Sequence, residues 1–298
     1  MRREHAIGER RAPTVIAWLT AKQAARSAAV WGVLFGLLVL QDAGSYHSNY
    51  PTLAARETLE RNFGHNAALN AITGQARRLD TVGGWVSWRM FGLMIIIGAI
   101  WGLLTASRLL RKQEDAGRWE LLLAGQTARR QATLQAIAGL AAGWVVLWAL
   151  TAAFTVAVSS RSAVGFSTSG SLLYATVATA SAAMFLAIGA LASQLAGTRR
   201  QANGLAAAIL AACFLIRMVA DAVNSLGWMR WISPLGWAEN VHPFTGSQPL
   251  ALLPIALLTI GAAALAVTLA GRRDLGTAVL ARREAVNQTL VCSAVPQL

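Results

Sequence analysis

Long apolar segments alternate with shorter polar ones along most of this chain. Each apolar segment is close to the roughly 20 residues that an α-helix needs to cross the hydrocarbon core of a bilayer. Helices are expected because the backbone in lipid must satisfy its own hydrogen bonds, and the strand alternation of an outer-membrane barrel is missing. The pattern predicts an all-α, polytopic membrane protein. The six predicted spans are Ala24–Leu40, Val86–Leu104, Thr133–Val158, Leu172–Leu195, Ala202–Val223 and Leu250–Ala270.

The composition agrees with a membrane protein and argues against a nucleic-acid-binding one. Of the 298 residues, 55% are hydrophobic and 13% are charged, whereas a soluble domain usually has about 25% charged residues. The net charge of +13 comes mostly from basic residues that flank the apolar segments. The expected partner is therefore the lipid bilayer and no nucleic acid. Cys213 and Cys292 form no disulfide framework or metal-binding pattern.

The distribution of arginine and lysine predicts how the chain is oriented in the membrane. If the N-terminus is cytoplasmic, the inner segments hold 18 of these residues and the outer segments hold 6, with Arg89 and Arg217 inside spans. Basic residues concentrate on the cytoplasmic side of membrane proteins. Both termini of this multi-pass protein are therefore predicted to be cytoplasmic.

The polar segments divide the chain into a six-helix domain and its flanks. The N-terminal flank includes a predicted amphipathic helix on the membrane surface, with Val15, Ile16 and Leu19 on one face. A plain cytoplasmic helix is the alternative. The predicted divisions are a cytoplasmic N-terminus at 1–23, the membrane domain at 24–270 and a cytoplasmic tail at 271–298. Within the domain they are an outer segment at 41–85, an inner loop at 105–132 and a Trp-rich outer segment at 224–249.

The two outer segments have different characters. The first contains two stretches, Leu53–Leu59 and Ala67–Ile72, that predict short helices packed over the outer mouth of the bundle. The second gathers Trp228, Trp231 and Trp237, and tryptophan prefers the headgroup interface. An interfacial or re-entrant element is expected there, and an inert aromatic anchor is the alternative.

The usual motifs of enzymes are missing from the sequence. A P-loop needs a lysine followed by serine or threonine, but Lys22 and Lys112 are both followed by glutamine. The four histidines have no metal-ligand spacing, and the spans lack paired carboxylates for acid–base chemistry. We therefore expect no enzyme activity, no metal and no cofactor bound by this chain.

A dense group of mixed charge lies between the second and third spans. Seven charged residues occur between Arg108 and Glu120, directly before three leucines. Orientation rules explain basic residues but not acidic ones. A solvated loop is one reading, and a short amphipathic helix that docks a partner is the other.

This group of charges is also where the sequence resembles a known family. Glu114–Gly125 reads EDAGRWELLLAG and resembles the E-E-x-G-R-x-E-L-L-L-A signature of permeases in the type-2 class of ABC exporters. It is most similar to actinobacterial tetronasin-resistance-like exporters of drugs and polyketide antibiotics. Leu215–Asp221, Ser233–Trp237 and Gly271–Gly276 match further motifs in the same order.

The resemblance implies a permease subunit of the bacterial plasma (inner) membrane that exports hydrophobic drugs or antibiotics by using ATP hydrolysed on a partner. The inner loop would be a coupling helix docked on a dimeric ABC ATPase, which would bind the ATP and magnesium. Related exporters have two six-helix halves in one chain, so a second permease half is expected from the same or another chain. The implied docking residues are Glu114, Asp115, Gly117, Arg118 and Glu120, with Arg199 and Arg200 either a second contact or an ordinary basic flank.

One pair of charges falls inside a predicted span. Arg217 and Asp221 lie four residues apart near the outer end of the fifth span, and i,i+4 residues can neutralise each other on one helix face. Charges inside the membrane are costly and often functional. A structural ion pair and a gate or cavity-lining role both remain open.

Two other functions compete with the exporter. An ion-coupled secondary transporter would need titratable groups at mid-membrane, and the spans offer Asp221 near one end. A non-transporting scaffold or sensor would keep the ATPase-docking loop without a transport path. Association with an ATPase and measured drug efflux would separate these functions.

Overall fold

The computed structural model describes residues 12–64, 66–115 and 129–272. Six helices in these ranges are long and apolar enough to cross a bilayer, and each overlaps one predicted span. The predicted fold class, an all-α polytopic membrane protein, is confirmed. The six helices are α1 (Ala12–Asn49), α5 (Phe91–Asp115), α6 (Arg129–Ser159), α7 (Thr168–Leu195), α8 (Arg199–Ala222) and α10 (Leu252–Arg272).

Short helices lie between the long ones at one end of the bundle. Side chains of Thr52, Asn66 and Thr81 cap three of them by accepting backbone N–H bonds, which satisfies donors that a helix start leaves open. The first two coincide with the predicted outer helices. The short elements are α2 (Leu53–Phe63), α3 (Ala67–Thr73), α4 (Val82–Arg89), a 3₁₀ helix (Asn224–Trp231), α9 (Pro234–Asn240) and a single 3₁₀ turn (Pro249–Ala251) directly before α10.

Glycines bring the long helices together in parallel pairs. Gly139 and Gly143 of α6 approach Thr20 and Ala24 of α1 so closely that an added Cβ would lie 2.7 and 2.5 Å from their side chains. Gly102 of α5 likewise approaches the backbone of α7. Small residues four apart allow such close packing of membrane helices.

The alternating direction of the long helices defines two ends of the bundle. The terminal end is where α1, α6 and α8 begin and where α5, α7 and α10 end. The capped end is the opposite one, which carries the short helices. The most buried span is α7. Of the residues in its 18-residue apolar core, 83% are buried, against 28–33% in the corresponding parts of α1, α6, α8 and α10. It forms the centre of the bundle, and the other four present broad faces to lipid or to a partner.

The beginning of α1 differs from the sequence prediction of a separate amphipathic helix. One continuous helix runs from Ala12 to Asn49, because the stretch after Pro13 contains no breaker. Ile16, Thr20 and Ala24 are buried, and the latter two lie against the α6 glycines. Val15, by contrast, is exposed. Of the three residues of the predicted apolar face, only Ile16 is buried, since Leu19 is exposed like Val15, and the segment belongs to the same helix that forms the first span.

Two boundaries of the predicted outer segment also shift. Residues 41–49 belong to α1, since Ala43 and Tyr46 are buried beneath the short helices. The predicted second span began at Val86, but Val86 and Arg89 lie in α4, and α5 begins at Phe91. The apolar character of α4, whose two tryptophans are buried, explains why the sequence pattern joined the two helices.

Candidate functional site

A fully buried arginine lies at the centre of the capped end. Arg217 Nε of α8 lies 3.3 Å from Asp221 Oδ2, one helical turn further along, and Nη1 lies 3.1 Å from Glu239 Oε1 of α9. Its Nη2 donates a 2.6 Å hydrogen bond to the carbonyl oxygen of Ile72 in α3. One side chain thus joins three elements of the bundle, and the structure places the sequence-predicted pair Arg217 and Asp221 in contact.

A second arginine completes what we call the charge cluster, formed by Arg217, Asp221, Arg230 and Glu239. Arg230 comes from the 3₁₀ helix, and its Nη1 donates to Asp221 Oδ1 at 3.1 Å. Two guanidinium groups therefore face two carboxylates. Such a balance is needed because an unpaired buried charge costs several kcal/mol.

Two glycines make room for this arrangement. Gly74 adopts a φ of +96°, and a Cβ there would lie 2.7 Å from Glu239 Oε1. At Gly92, the second residue of α5, a Cβ would lie 2.9 Å from the Thr73 carbonyl oxygen and 3.4 Å from Arg217 Nη1. Larger residues at either position would push the segment around Thr73 and Gly74 away from the cluster.

Burial at the charge cluster shifts the pKa of one of its members, Glu239, and of the nearby His242. Burial raises the pKa of Glu239 well above its usual value, while Arg217 opposes the shift and Asp221 adds to it. Burial, with a contribution from Arg77 and then Arg230, lowers the pKa of His242 to about 4. His242 is therefore uncharged at neutral pH, which avoids a further positive charge beside the two arginines.

The chain re-enters the bundle beside α8 to bring Glu239 into place. Ser233 Oγ donates a 2.6 Å hydrogen bond to the carbonyl oxygen of Cys213, nine residues before the end of α8 at Ala222. At 1.5 Å per residue, this contact lies about 13 Å below the end of that helix. This path brings the Trp-rich segment back into the bundle beside α8.

The three tryptophans of that segment lie near the surface of the capped end. Trp228 and Trp231 are more than half exposed. Trp237 is partly buried, and its Nε1 donates to the carbonyl oxygen of Trp231 at 2.7 Å. Two exposed indoles beside a buried helix are typical of an element anchored at a membrane interface.

A small cavity of about 30 Å³ borders the charge cluster, lined by Glu239, Ser87, Trp88, His242 and other residues. It admits a water molecule but is far too small for a drug-sized compound. The cluster is therefore better suited to holding the short helices in place than to binding a transported molecule.

Larger spaces lie on the flanks of the bundle. A cavity of about 450 Å³ between α6, α7 and α10 is lined almost wholly by apolar side chains such as Leu140, Leu186 and Ile255. Two others, of about 430 and 770 Å³, lie along α1 and α5 and share Trp31 and Ile97 in their walls. Cavities of 300–1,000 Å³ are large enough for drug-sized molecules.

Most of the predicted docking residues fall outside the part of the chain that the structure describes. The side chains of Glu114 and Asp115, as well as Gly117, Arg118 and Glu120, lie outside the described residues. Arg199 and Arg200 form the start of α8 at the terminal end, and both are exposed.

Sequence reasoning missed three charged residues of the capped end. Glu239 and Arg230 lie in the Trp-rich segment, where a single acid among apolar residues was the available signal. Asp42 is buried in α1, and its Oδ1 lies 3.5 Å from Arg89 Nη1. Arg89, which the sequence pattern put inside the second span, has a partly exposed side chain, and its guanidinium lies over the ring of Trp85.

Comparison with known proteins connects this architecture to a transport family. Residues 53–273 match the family described as the multidrug efflux system permease Rv1217c, C-terminal domain. This chain belongs to that permease family. The matched range includes the whole charge cluster and five of the six long helices. The predicted resemblance to permeases of drug exporters is confirmed at the level of the family.

A named relative shows the same relationship. The chain is 30% identical over 245 residues to the multidrug efflux system permease protein Rv1217c of Mycobacterium tuberculosis. The alignment covers 80% of this chain and 42% of that protein. The chain thus spans less than half the length of the relative it matches.

Proposed function

We propose that this chain is one permease half of an ATP-driven ABC exporter that moves hydrophobic drugs or antibiotics out of the cell. Membership in the Rv1217c permease family is the observation that carries the proposal. The six-helix bundle supports it, because it provides membrane spans and drug-sized cavities on its flanks. The printed name of the Mycobacterium tuberculosis relative supports multidrug efflux as the activity.

The terminal end is the proposed docking side for a dimeric ABC ATPase, and this end is cytoplasmic. α5 ends at Asp115 and α6 begins at Arg129, so residues 116–128 connect the two helices there. Glu114, Asp115, Arg118 and Glu120 would contact the ATPase, with Arg199 and Arg200 as a second contact at the same end. ATP and magnesium would bind to the ATPase.

A second permease half is proposed to complete the transporter. It packs on the exposed face of α8, where Gly204, Ala208, Ala211 and Leu215 point away from this bundle. Small residues on a membrane helix favour close association with another helix. This second half comes from the same or another chain, and the matched region is less than half of the relative's length.

The charge cluster has the role of an outer gate in this proposal. It joins α8 to α3, α9 and the 3₁₀ helix by ion pairs and hydrogen bonds. A movement of α8 driven from the ATPase side would therefore be transmitted to the short helices that cover the bundle.

The decisive experiment tests the docking residues. The chain is purified from its native host, and an ATPase that accompanies it is identified by mass spectrometry, with the mass of the complex giving the number of halves. Glu114→Ala with Glu120→Ala should then lower ATP-dependent drug efflux by at least tenfold and release the ATPase. The matched control is Glu57→Ala with Glu60→Ala, two exposed acids of α2 at the capped end, which should export normally.

Several outcomes would contradict this function. Purification without an ATPase, or normal efflux by the Glu114/Glu120 variant, would remove the docking proposal. Efflux that stops with a protonophore at constant ATP would favour the ion-coupled transporter. An associated ATPase without any efflux would favour the scaffold or sensor.

A further inference from the structure

A long groove runs along the face shared by α1 and α5. It consists of the 430 Å³ cavity towards the terminal end and the 770 Å³ cavity towards the capped end. Trp31 and Ile97 line both cavities, so the two lie end to end and meet at these side chains. We call this space the α1–α5 groove.

The walls of the α1–α5 groove are mainly apolar. In the part towards the terminal end they include Trp31, Ile100 and Leu104. Two of the polar groups there have partners within the bundle: Trp101 Nε1 donates to Ser27 Oγ at 3.2 Å, and Ser27 Oγ donates to the Ala24 carbonyl oxygen. The walls therefore suit an apolar body that needs few hydrogen bonds.

The charges in the α1–α5 groove all have the same sign. Arg108 and Arg199 line the part towards the terminal end, and Arg161 lines the opposite part. No aspartate or glutamate is among the described residues that line either part. Within the described ranges, none of these three arginines lies within ion-pair distance of a carboxylate, unlike Arg217 and Arg230 of the charge cluster.

The apolar walls and the arginines together favour one class of ligand. Guanidinium groups bind carboxylates, phosphates and sulfonates through charge-assisted hydrogen bonds, and they disfavour cations. A volume of about 430 Å³ fits a drug-sized or single-chain molecule.

We infer that the α1–α5 groove binds an exported amphiphilic anion, with its acidic group between Arg108 and Arg199 and its apolar body along Trp31, Ile97 and Leu104. The inference rests on the proposed export function and narrows its substrate class. Hydrophobic compounds with an acidic group would be preferred over neutral or cationic ones of the same size.

Photolabelling of the full chain in phosphatidylcholine vesicles tests this inference. The probe is palmitic acid with a diazirine in its chain, and the matched probe is hexadecylamine with the same diazirine. Peptide mass spectrometry should find the acid on residues 97–108 at several times the yield of the amine. Arg108→Gln with Arg199→Gln should lower the yield of the acid about tenfold, since each bond to a charged group contributes substantially to affinity.

Two control variants distinguish a binding site from a general basic surface. Arg26→Gln removes an exposed charge of α1 that does not line the groove, and it should label like the wild type. Arg108→Lys with Arg199→Lys retains the charges and should keep most of the labelling. Equal labelling by acid and amine, or wild-type labelling of the double glutamine variant, would overturn the inference.

Two further outcomes are informative. If phosphatidylglycerol in the vesicles abolishes the labelling, the groove holds a membrane lipid and the exported-anion inference is wrong. The labelling requires no ATPase, so its failure is distinguishable from failure of the export function. A chain that exports drugs with an ATPase but labels without charge preference would contradict the inference alone.

Discussion

Two sets of arginines, one at each end of this bundle, are used in opposite ways. At the capped end, Arg217 is fully buried and Arg230 nearly so, and both contact carboxylates at 3.1–3.3 Å. At the terminal end, Arg199 and Arg200 are exposed, and no described carboxylate lies within ion-pair distance. Buried guanidinium groups with fixed partners hold elements together, whereas exposed ones remain available to bind other molecules. The same side chain is therefore structural in the charge cluster and suited to recognition at the start of α8.

Substitution of Arg217 should give the largest difference in stability between the two ends. Arg217→Ala leaves Asp221 and Glu239 buried without their shared partner, and loss of one member of a buried pair costs about 3–5 kcal/mol. The free energy of unfolding in detergent measures the effect. Arg200→Ala, on the same helix but exposed, should change it by about 0.5 kcal/mol or less.

A loss of about 1 kcal/mol or less for Arg217→Ala would break the comparison. The capped-end arginine would then be as replaceable as the terminal-end one. The charge cluster would then not be what holds the short helices in place.

A smaller effect is expected from the glycine that faces Glu239. In Gly74→Ala, backbone strain at a φ of +96° should cost about 1–3 kcal/mol. The added Cβ would also lie 2.7 Å from Glu239 Oε1, which should cost about 1 kcal/mol more as crowding. Thermal unfolding in detergent reports the sum.

Gly246→Ala is the matched control for this prediction. Gly246 has a φ of +100° and no atom within 4 Å of an added Cβ, so it reports backbone strain alone. Equal destabilisation by the two variants would show that contact with Glu239 contributes nothing at Gly74.

The sequence predicted the long helices well because each depends on a local property. Mean hydropathy over about 20 residues decides whether a segment spans a bilayer, and all six predicted spans overlap observed helices. The errors arose where local pattern and packing differ. Helix α4 is apolar because its tryptophans are buried under the other short helices. Local pattern does not distinguish such a helix from the start of a span, so the sequence assigns Val86 to the span that follows.

The charge cluster could be predicted only in part, for a physical reason. Arg217 and Asp221 are one helical turn apart, so spacing alone suggests their contact. Glu239 lies 22 residues beyond Arg217, and it reaches the arginine because Ser233 bonds the Cys213 carbonyl oxygen deep in the bundle. Contacts of that kind depend on the path of the chain, which no periodicity records.

The smallest predicted effect concerns pH and the residue that stays neutral beside the cluster. His242 has a pKa of about 4, lowered by burial and then by Arg77 and Arg230, whereas a free histidine titrates near 6.5. On acidification, the unfolded chain gains a proton before the folded one does, so folding stability from this group is present above pH 6.5 and lost as pH falls towards 4. Because His242 is partly exposed, about 1–2 kcal/mol is expected.

His242→Asn isolates this contribution, since asparagine tolerates the positive φ of 45° at this position. Glu239 gives folding stability the opposite pH dependence, because its raised pKa favours the folded state on acidification. This contribution is the same in wild type and variant, so it cancels in the comparison. The difference in unfolding temperature between them should therefore change steadily from pH 7 to pH 4, with the wild type losing relative stability. A constant difference over that range would mean that His242 protonates as readily in the folded protein as in the unfolded chain. The capped end would then tolerate an extra positive charge, and its contrast with the terminal end would rest on the ion pairs alone.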